Sequence, residues 1–305
     1  MGAPSANDSI VMLALGDSVM WGQGHLPHNK FHQLVCDQLR YQDDYQGITP
    51  VMRAHSGAII GARTDRQWTA KNGEIPISGP SILTQCRQYD DDPDAVRVVL
   101  LDGGINDVTV GKIIDPSTSS TELRELIDDF CYTDMLQLLG EVAAKFSNPK
   151  CRIILTGYYQ ILSRRSDLTN AIRYLVTRGV ANAVSLLAST RGLSDATDNC
   201  RQFHLESDQA YANAVAEANK TAGGRITFVA SGFTDADALF QHDSLLWGLT
   251  NLQPQDPLED YRDEVCPNFF RDSQLDCLKC RFASVGHPNG SGAIKFYQAI
   301  MNVFP

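Results

Sequence analysis

Gly16-Asp17-Ser18 follows directly on the apolar run Ile10 to Leu15 and precedes Val19-Met20-Trp21-Gly22. An apolar run that ends in a glycine-containing turn predicts a buried parallel strand delivering its next residues to the carboxyl edge of a sheet. Open α/β sheets place their ligands at that edge. A serine presented there becomes a nucleophile once a neighbouring base takes its proton. The same residue types also build ordinary turns, so the tripeptide alone leaves both readings open.

Two further segments have a similar placement. Leu100-Leu101-Asp102-Gly103-Gly104-Ile105-Asn106-Asp107 follows the valine-rich run Val96 to Val99, and Gly286-His287-Pro288-Asn289 stands just before a helical stretch near the C-terminus. Together with His55-Ser56-Gly57-Ala58, these blocks resemble the SGNH hydrolases, also called the GDSL family of esterases and lipases. The blocks occur in family order between residues 16 and 289. The resemblance implies a serine ester hydrolase that cleaves carboxylic esters through an acyl-enzyme on Ser18, with His287 as general base and no cofactor or metal. It also implies an oxyanion hole built from the Ser18 and Gly57 backbone N–H groups and the Asn106 side chain. The chemistry suits those residue types. A neutral imidazole can take the serine proton near pH 7, and the tetrahedral intermediate needs preorganised donors. An acyltransferase would use the same residues, and a non-catalytic relative that binds glycans or lipids would keep the fold without turnover. The expected partner is a small-molecule, lipid or acylated-glycan ester.

One position departs from the family pattern. The family usually carries an acid three residues before the histidine, where it orients the imidazole; here that residue is Ser284. The Ser284 hydroxyl or its backbone carbonyl could hold the ring, leaving a Ser-His dyad. An acid could also reach it from the stretch Ser231 to Asp276, which contains Asp235, Asp237, Asp243, Asp256, Asp260, Asp263, Asp272 and Asp276. The backbone carbonyl is favoured, because Gly286 and Pro288 restrict the loop while a short serine side chain follows its local packing.

Composition narrows the function classes. The net charge of −10 and the lack of a basic cluster argue against nucleic-acid or anionic-membrane binding. No apolar run approaches the ~20 residues of a membrane span, and the first nine residues lack the features of a signal peptide. Eight cysteines, at 36, 86, 131, 151, 200, 266, 277 and 280, permit up to four disulfides without fixing their connectivity. Three of them fall in a polar stretch after Asp256 that would gain from cross-linking, which points to a secreted or periplasmic protein. Cys277-Leu278-Lys279-Cys280 reads as structural disulfide chemistry rather than a redox motif or zinc knuckle. His25, His28 and His32 have metal-compatible spacing but no His-Glu-x-x-His pattern; they are expected to rim the site or face solvent.

The elements that must position these residues alternate along the chain. Ile10–Leu15, Thr49–Arg53, Val96–Leu101, Arg152–Thr156 and Arg225–Val229 read as strands. Phe31–Tyr41, Ser81–Tyr89, Leu123–Phe146, Thr169–Ser189, Ser207–Ala222 and Ser291–Asn302 read as helices. This alternation predicts an α/β fold with a mainly parallel sheet of about five strands covered on both faces. The family resemblance implies the same three-layer, flavodoxin-like α/β/α sandwich. Residues 1–305 are expected to form one domain, because the candidate nucleophile and base lie near opposite ends and must meet. Two long connections, Tyr158 to Asn170 and about 231–282, are expected to set specificity. The second carries Phe233, Leu239, Phe240, Leu245, Leu246, Trp247, Leu249, Phe269 and Phe270, which either line an acyl pocket or pack the insertion onto the body.

Overall fold

A computed structural model describes residues 10–63, 73–76, 79–178, 190–249 and 256–304. The expected strands form as β1 (Val11–Leu15), β2 (Thr49–Met52), β3 (Val96–Leu101), β4 (Arg152–Thr156) and β5 (Ile226–Val229). They make one parallel sheet in the order β2-β1-β3-β4-β5. This is the doubly wound, flavodoxin-like order, whose switch point lies between β1 and β3. Ala14 pairs with Leu100 and Leu15 with Leu101, so the loops after β1 and β3 leave the sheet side by side. The central strands read as continuous apolar runs because helices cover both of their faces. β2 is an edge strand, with an exposed Thr49 and a proline at position 50, where the missing N–H does least harm.

Twelve helices are labelled here in chain order: α1 (Ser18–Trp21), α2 (Phe31–Leu39), α3 (Ile82–Arg87), α4 (Ile105–Val108), α5 (Val110–Ile114), α6 (Ser120–Ile127), α7 (Met135–Lys145), α8 (Leu168–Thr177), α9 (Thr190–Ala222), α10 (Glu259–Phe269), α11 (Gln274–Arg281) and α12 (Gly290–Met301). α2 packs against α12 in one outer layer, and α3, α7 and α9 pack together in the other. The result is the expected three-layer α/β/α sandwich.

Several helices differ from expectation. The single helix expected over Leu123–Phe146 begins earlier, at Ser120, and is interrupted by a π-helical turn at Asp128–Asp134. α9 begins at Thr190, well before the expected Ser207. Its first half is polar, yet it buries Ala196, Cys200 and Phe203 at helical spacing. α8 covers the start of the helix expected over Thr169–Ser189; residues 179–189, including the alanine-rich run Ala181–Ala188, lie outside the described residues.

The long connection before His287 is structured rather than open. It contains the paired helices α10 and α11, joined by a disulfide between Cys266 and Cys280. This corrects the cysteine reading. Cys277 is a free, half-buried thiol, and Cys36, Cys86, Cys131, Cys151 and Cys200 are free and buried, behaving as small core residues. The chain therefore has one disulfide among the described residues instead of the four its cysteine count permits. The apolar set also resolves. Phe233, Leu239, Phe240 and Leu246 join the main core, Trp247 is buried, and Phe270 packs on a small cluster around the disulfide.

Candidate active site

The turn after β1 is enclosed by three side chains from other elements. Gln85 of α3 accepts a hydrogen bond from the Gly16 N–H and donates one to its carbonyl, both at 2.9 Å. Asp102, at the end of β3, accepts from the Asp17 N–H at 2.7 Å. A Cβ on residue 16 would lie 2.0 Å from Asp102 Oδ1, so only glycine fits. Asp17 then caps α1: Oδ1 accepts from the Val19 N–H at 2.8 Å, and Oδ2 accepts from the Tyr158 hydroxyl at 2.5 Å. Both carboxyls are completely buried. Burial raises Asp17 to about 6 against the opposing hydrogen bonds of Tyr158 and Val19, and burial with the neighbouring Asp17 raises Asp102 well above the carboxylate range.

This clasp presents Ser18 at the first position of α1, with its hydroxyl 2.7 Å from His287 Nε2. His287 Nδ1 lies 3.1 Å from the backbone carbonyl of Ser284. A carbonyl can only accept, so this contact fixes the proton on Nδ1 and leaves Nε2 free to accept from Ser18. No carboxylate bonds to Nδ1 among the described residues. The Ser284 hydroxyl points away and accepts from Arg262 Nη2 at 3.0 Å. Of the candidate acids, Asp256 is buried but bound to the Arg262 guanidinium, Asp263 pairs with Arg281, and Asp237 pairs with Lys295.

The loop carrying His287 is held at every residue from 284 to 288. Arg262 binds Ser284, and Arg178 donates to the Val285 carbonyl at 2.9 Å. The Tyr159 hydroxyl donates to the Gly286 carbonyl at 2.9 Å. Trp247 accepts from the Gly286 N–H and donates to the His287 carbonyl, at 2.9 and 2.8 Å. His25 Nε2 donates to the Pro288 carbonyl at 2.9 Å. Arg262 is itself a buried hub, bonding to Glu74 at 2.6 Å, to Asp256 and to the Arg281 carbonyl at 3.1 Å. Sequence reasoning assigned no role in holding the histidine loop to Tyr159, Arg178, Trp247 or Arg262. Their partners lie far away along the chain, as in the separation of 188 residues between Arg262 and Glu74, and no short motif records such a pairing.

Ser18, Gly57 and Asn106 face the same pocket of about 140 Å³, together with His287. Gly57 has a φ of +78°, a conformation natural to glycine. The Asn106 amide donates to the Ala58 carbonyl at 3.0 Å, which uses one of its two N–H bonds. Asp107 accepts from the Ile60 N–H at 3.1 Å, so adjacent residues of α4 fasten the loop that carries Gly57. Tyr159, Ile161, Tyr174, Ala283 and Val285 form apolar walls, with Arg178 and Lys279 also lining the pocket. The first long connection thus supplies Tyr159 and Ile161. None of the nine apolar residues expected in the second lines the pocket; most of that set is used in packing, and Phe269 is exposed. Of the three clustered histidines, His28 is exposed, while His25 and His32 are buried outside this pocket. No group of metal-ligating side chains occurs among the described residues.

The His287 ring is largely enclosed, and this burial, with the nearby cations Arg178 and Arg262, lowers its pKa to about 3. A carboxylate partner would act in the opposite direction, by favouring the imidazolium.

No family model and no curated protein matches the chain. Solved structures do resemble it. It is similar to TesA, at 12% identity over 96% of both chains with a TM-score of 0.39. A protein from Parabacteroides merdae described as a GDSL-like lipase overlaps at 12% identity over 98% of both chains, with a TM-score of 0.41. LAE5, an α/β hydrolase enzyme from the metagenome of Lake Arreo, Spain, overlaps at 12% identity over 96% of this chain and 94% of that one, with a TM-score of 0.37. At these identities and scores, the chain's own residues must carry any reading of function.

Two predictions follow from the histidine's surroundings. Ser284→Ala keeps the carbonyl but removes an acceptor of a buried guanidinium. It should lower stability by about 1–3 kcal/mol in a denaturant titration, with kcat for ester hydrolysis nearly unchanged; a large loss of kcat at preserved fold would assign the orientation to the hydroxyl. The low pKa of His287 keeps it neutral through mildly acid pH. kcat/KM, followed where circular dichroism shows an intact fold, should therefore stay level from pH 8 to 5, whereas an ordinary histidine would lose about thirtyfold by pH 5.

Proposed function

We propose that this protein is an SGNH-type serine hydrolase that cleaves carboxylic esters of short acyl chains. The observation that carries the reading is the Ser18 hydroxyl 2.7 Å from Nε2 of a histidine whose other nitrogen is held by a carbonyl. In the acylation step, Ser18 Oγ attacks the ester carbonyl and its proton passes to His287 Nε2. The tetrahedral oxyanion takes hydrogen bonds from the Ser18 and Gly57 N–H groups and the second Asn106 amide N–H. His287 then protonates the departing alkoxide, leaving the acyl group on Ser18. In deacylation the neutral His287 takes a proton from water, hydroxide adds to the acyl carbonyl, and Ser18 leaves with the proton returned.

Without a carboxylate, the imidazolium formed in each step is stabilised by backbone carbonyl dipoles at Ser284 and Ala283, while Arg178 and Arg262 oppose it. Such a dyad gives up part of the rate a full triad reaches, but the oxyanion donors and substrate binding contribute independently of the acid. The pocket at Ser18, about 140 Å³, is well below the ~300–1,000 Å³ of drug-sized sites. Its apolar walls suit an acyl group of two to about four carbons. The Cys266–Cys280 disulfide supports a place in an oxidising compartment, outside the cell or in a periplasm. No described helix is long and apolar enough to cross a membrane.

Turnover of a soluble ester tests the assignment. Ser18→Ala and His287→Ala should each reduce kcat by at least about 10³, and the double variant should lose little more, because the pair works as one unit. Wild-type activity in Ser18→Ala would end this reading. In a nitrophenyl ester series, kcat/KM should peak between acetate and butyrate and fall by more than tenfold at octanoate; a rise with chain length would place the acyl group outside this pocket.

A further inference from the structure

A second and larger pocket, of about 680 Å³, opens between α2, the edge strand β2 and the start of α10, and it shares no lining residue with the pocket at Ser18. Its walls are mainly apolar, from Trp21, Pro27, Pro50, Met52, Leu258 and Tyr261. Lys30 lines it and is only 6% exposed. The Lys30 ammonium lies 3.5 Å from the centre of the Trp21 ring and, among the described residues, makes no hydrogen bond or salt bridge, although it feels the field of the Glu74 carboxylate. A cation so largely withdrawn from water keeps N–H donors that only residual solvent or a ligand can meet. Its pKa is correspondingly lowered by burial to about 8, which still leaves it mostly charged at pH 7.

Most other polar groups of the pocket are already engaged, His32 Nδ1 being the exception, buried without a partner. Glu74 accepts from Trp21, Gln23, Gly24 and Arg262; His25 bonds to the Pro288 carbonyl; Gln33 donates to Asp37. His32 is neutral, because burial and the neighbouring Lys30 lower its pKa to about 3. Few groups are therefore left to meet the hydroxyls of a sugar, and the Glu74 carboxylate, itself paired with Arg262, opposes a dianion such as phosphate more strongly than a monoanion. A single negative charge with several acceptor lone pairs would satisfy Lys30 through charge-assisted hydrogen bonds, while the walls take up an apolar body.

We propose that this pocket binds a monoanionic amphiphile, with a carboxylate seated on Lys30 and a hydrocarbon chain laid along Trp21, Met52, Leu258 and Tyr261. The site is separate from the pocket at Ser18, and its occupancy does not depend on ester hydrolysis. Calorimetric titration of the full chain with sodium octanoate at pH 7 tests the site without any turnover, so failure here leaves the hydrolase reading intact. Wild type, Ser18→Ala and Lys30→Arg should bind octanoate alike, and Lys30→Met should bind it about ten- to a hundredfold more weakly. Octyltrimethylammonium should not bind the wild-type chain, a comparison that needs no variant and stands even if Lys30→Met fails to fold. Equal octanoate affinity in folded Lys30→Met and wild type would overturn the proposal. So would absence of octanoate binding, its loss in Ser18→Ala, or equal binding of the octyl cation.

Discussion

The geometry of the candidate site depends on one close approach: the carboxyl of Asp102 occupies the space a side chain on residue 16 would fill. That contact joins the ends of β1 and β3 at the switch point of the sheet, and it bonds directly to the Asp17 N–H. With Gln85 on Gly16 and Tyr158 on Asp17, it converts a flexible glycine turn into a fixed support for a short helix whose first residue is Ser18. The cost is two carboxyls buried side by side, which the fold meets by raising their pKa values and by donors to Asp17 and to one oxygen of Asp102, while Asp102 Oδ2 has no partner among the described residues. A serine hydroxyl held on rigid sheet ends in this way would need little reordering to act as the proposed nucleophile.

The histidine is held by a different means. Its loop has no regular structure, and contacts from five side chains or strand-like pairings fasten residues 284 to 288. Arg262 ties α10 to both the Ser284 hydroxyl and Glu74, so the long connection before His287 braces the loop that carries it. A buried ion cluster of this kind adds little net stability, but removing one member leaves the others unpaired. Here the cluster also affects the electrostatics of the site. Its arginine stands near His287 and helps to keep the imidazole neutral, where a carboxylate would favour its charged form.

Much of the fold was legible because its strands are continuous apolar runs bounded by turns, the pattern produced by burial on both faces. Ser18 and His287 were legible because each sits in a short block of small and polar residues at a sheet edge or helix start. The choice of the Ser284 carbonyl could be argued from Gly286 and Pro288, since local backbone restriction is written in adjacent residues. Arg262 with Glu74 and Asp256 was not legible: a charged residue in an acidic insertion looks like solvated surface until the fold closes around it. The cysteines misled for a related reason, because a buried thiol and a disulfide half are the same letter. The polar first half of α9 hid a helix whose buried apolar residues there are Ala196, Cys200 and Phe203, beside buried polar Thr197 and Asn199.

The central claim is that this framework makes one serine, Ser18, unusually reactive through His287. It is tested most directly by treating the folded wild-type protein with a fluorophosphonate and mapping the adduct by peptide mass spectrometry. The account predicts a single stoichiometric adduct on Ser18. A folded protein that remains unmodified at Ser18, or that carries its adduct on a different residue, would contradict it.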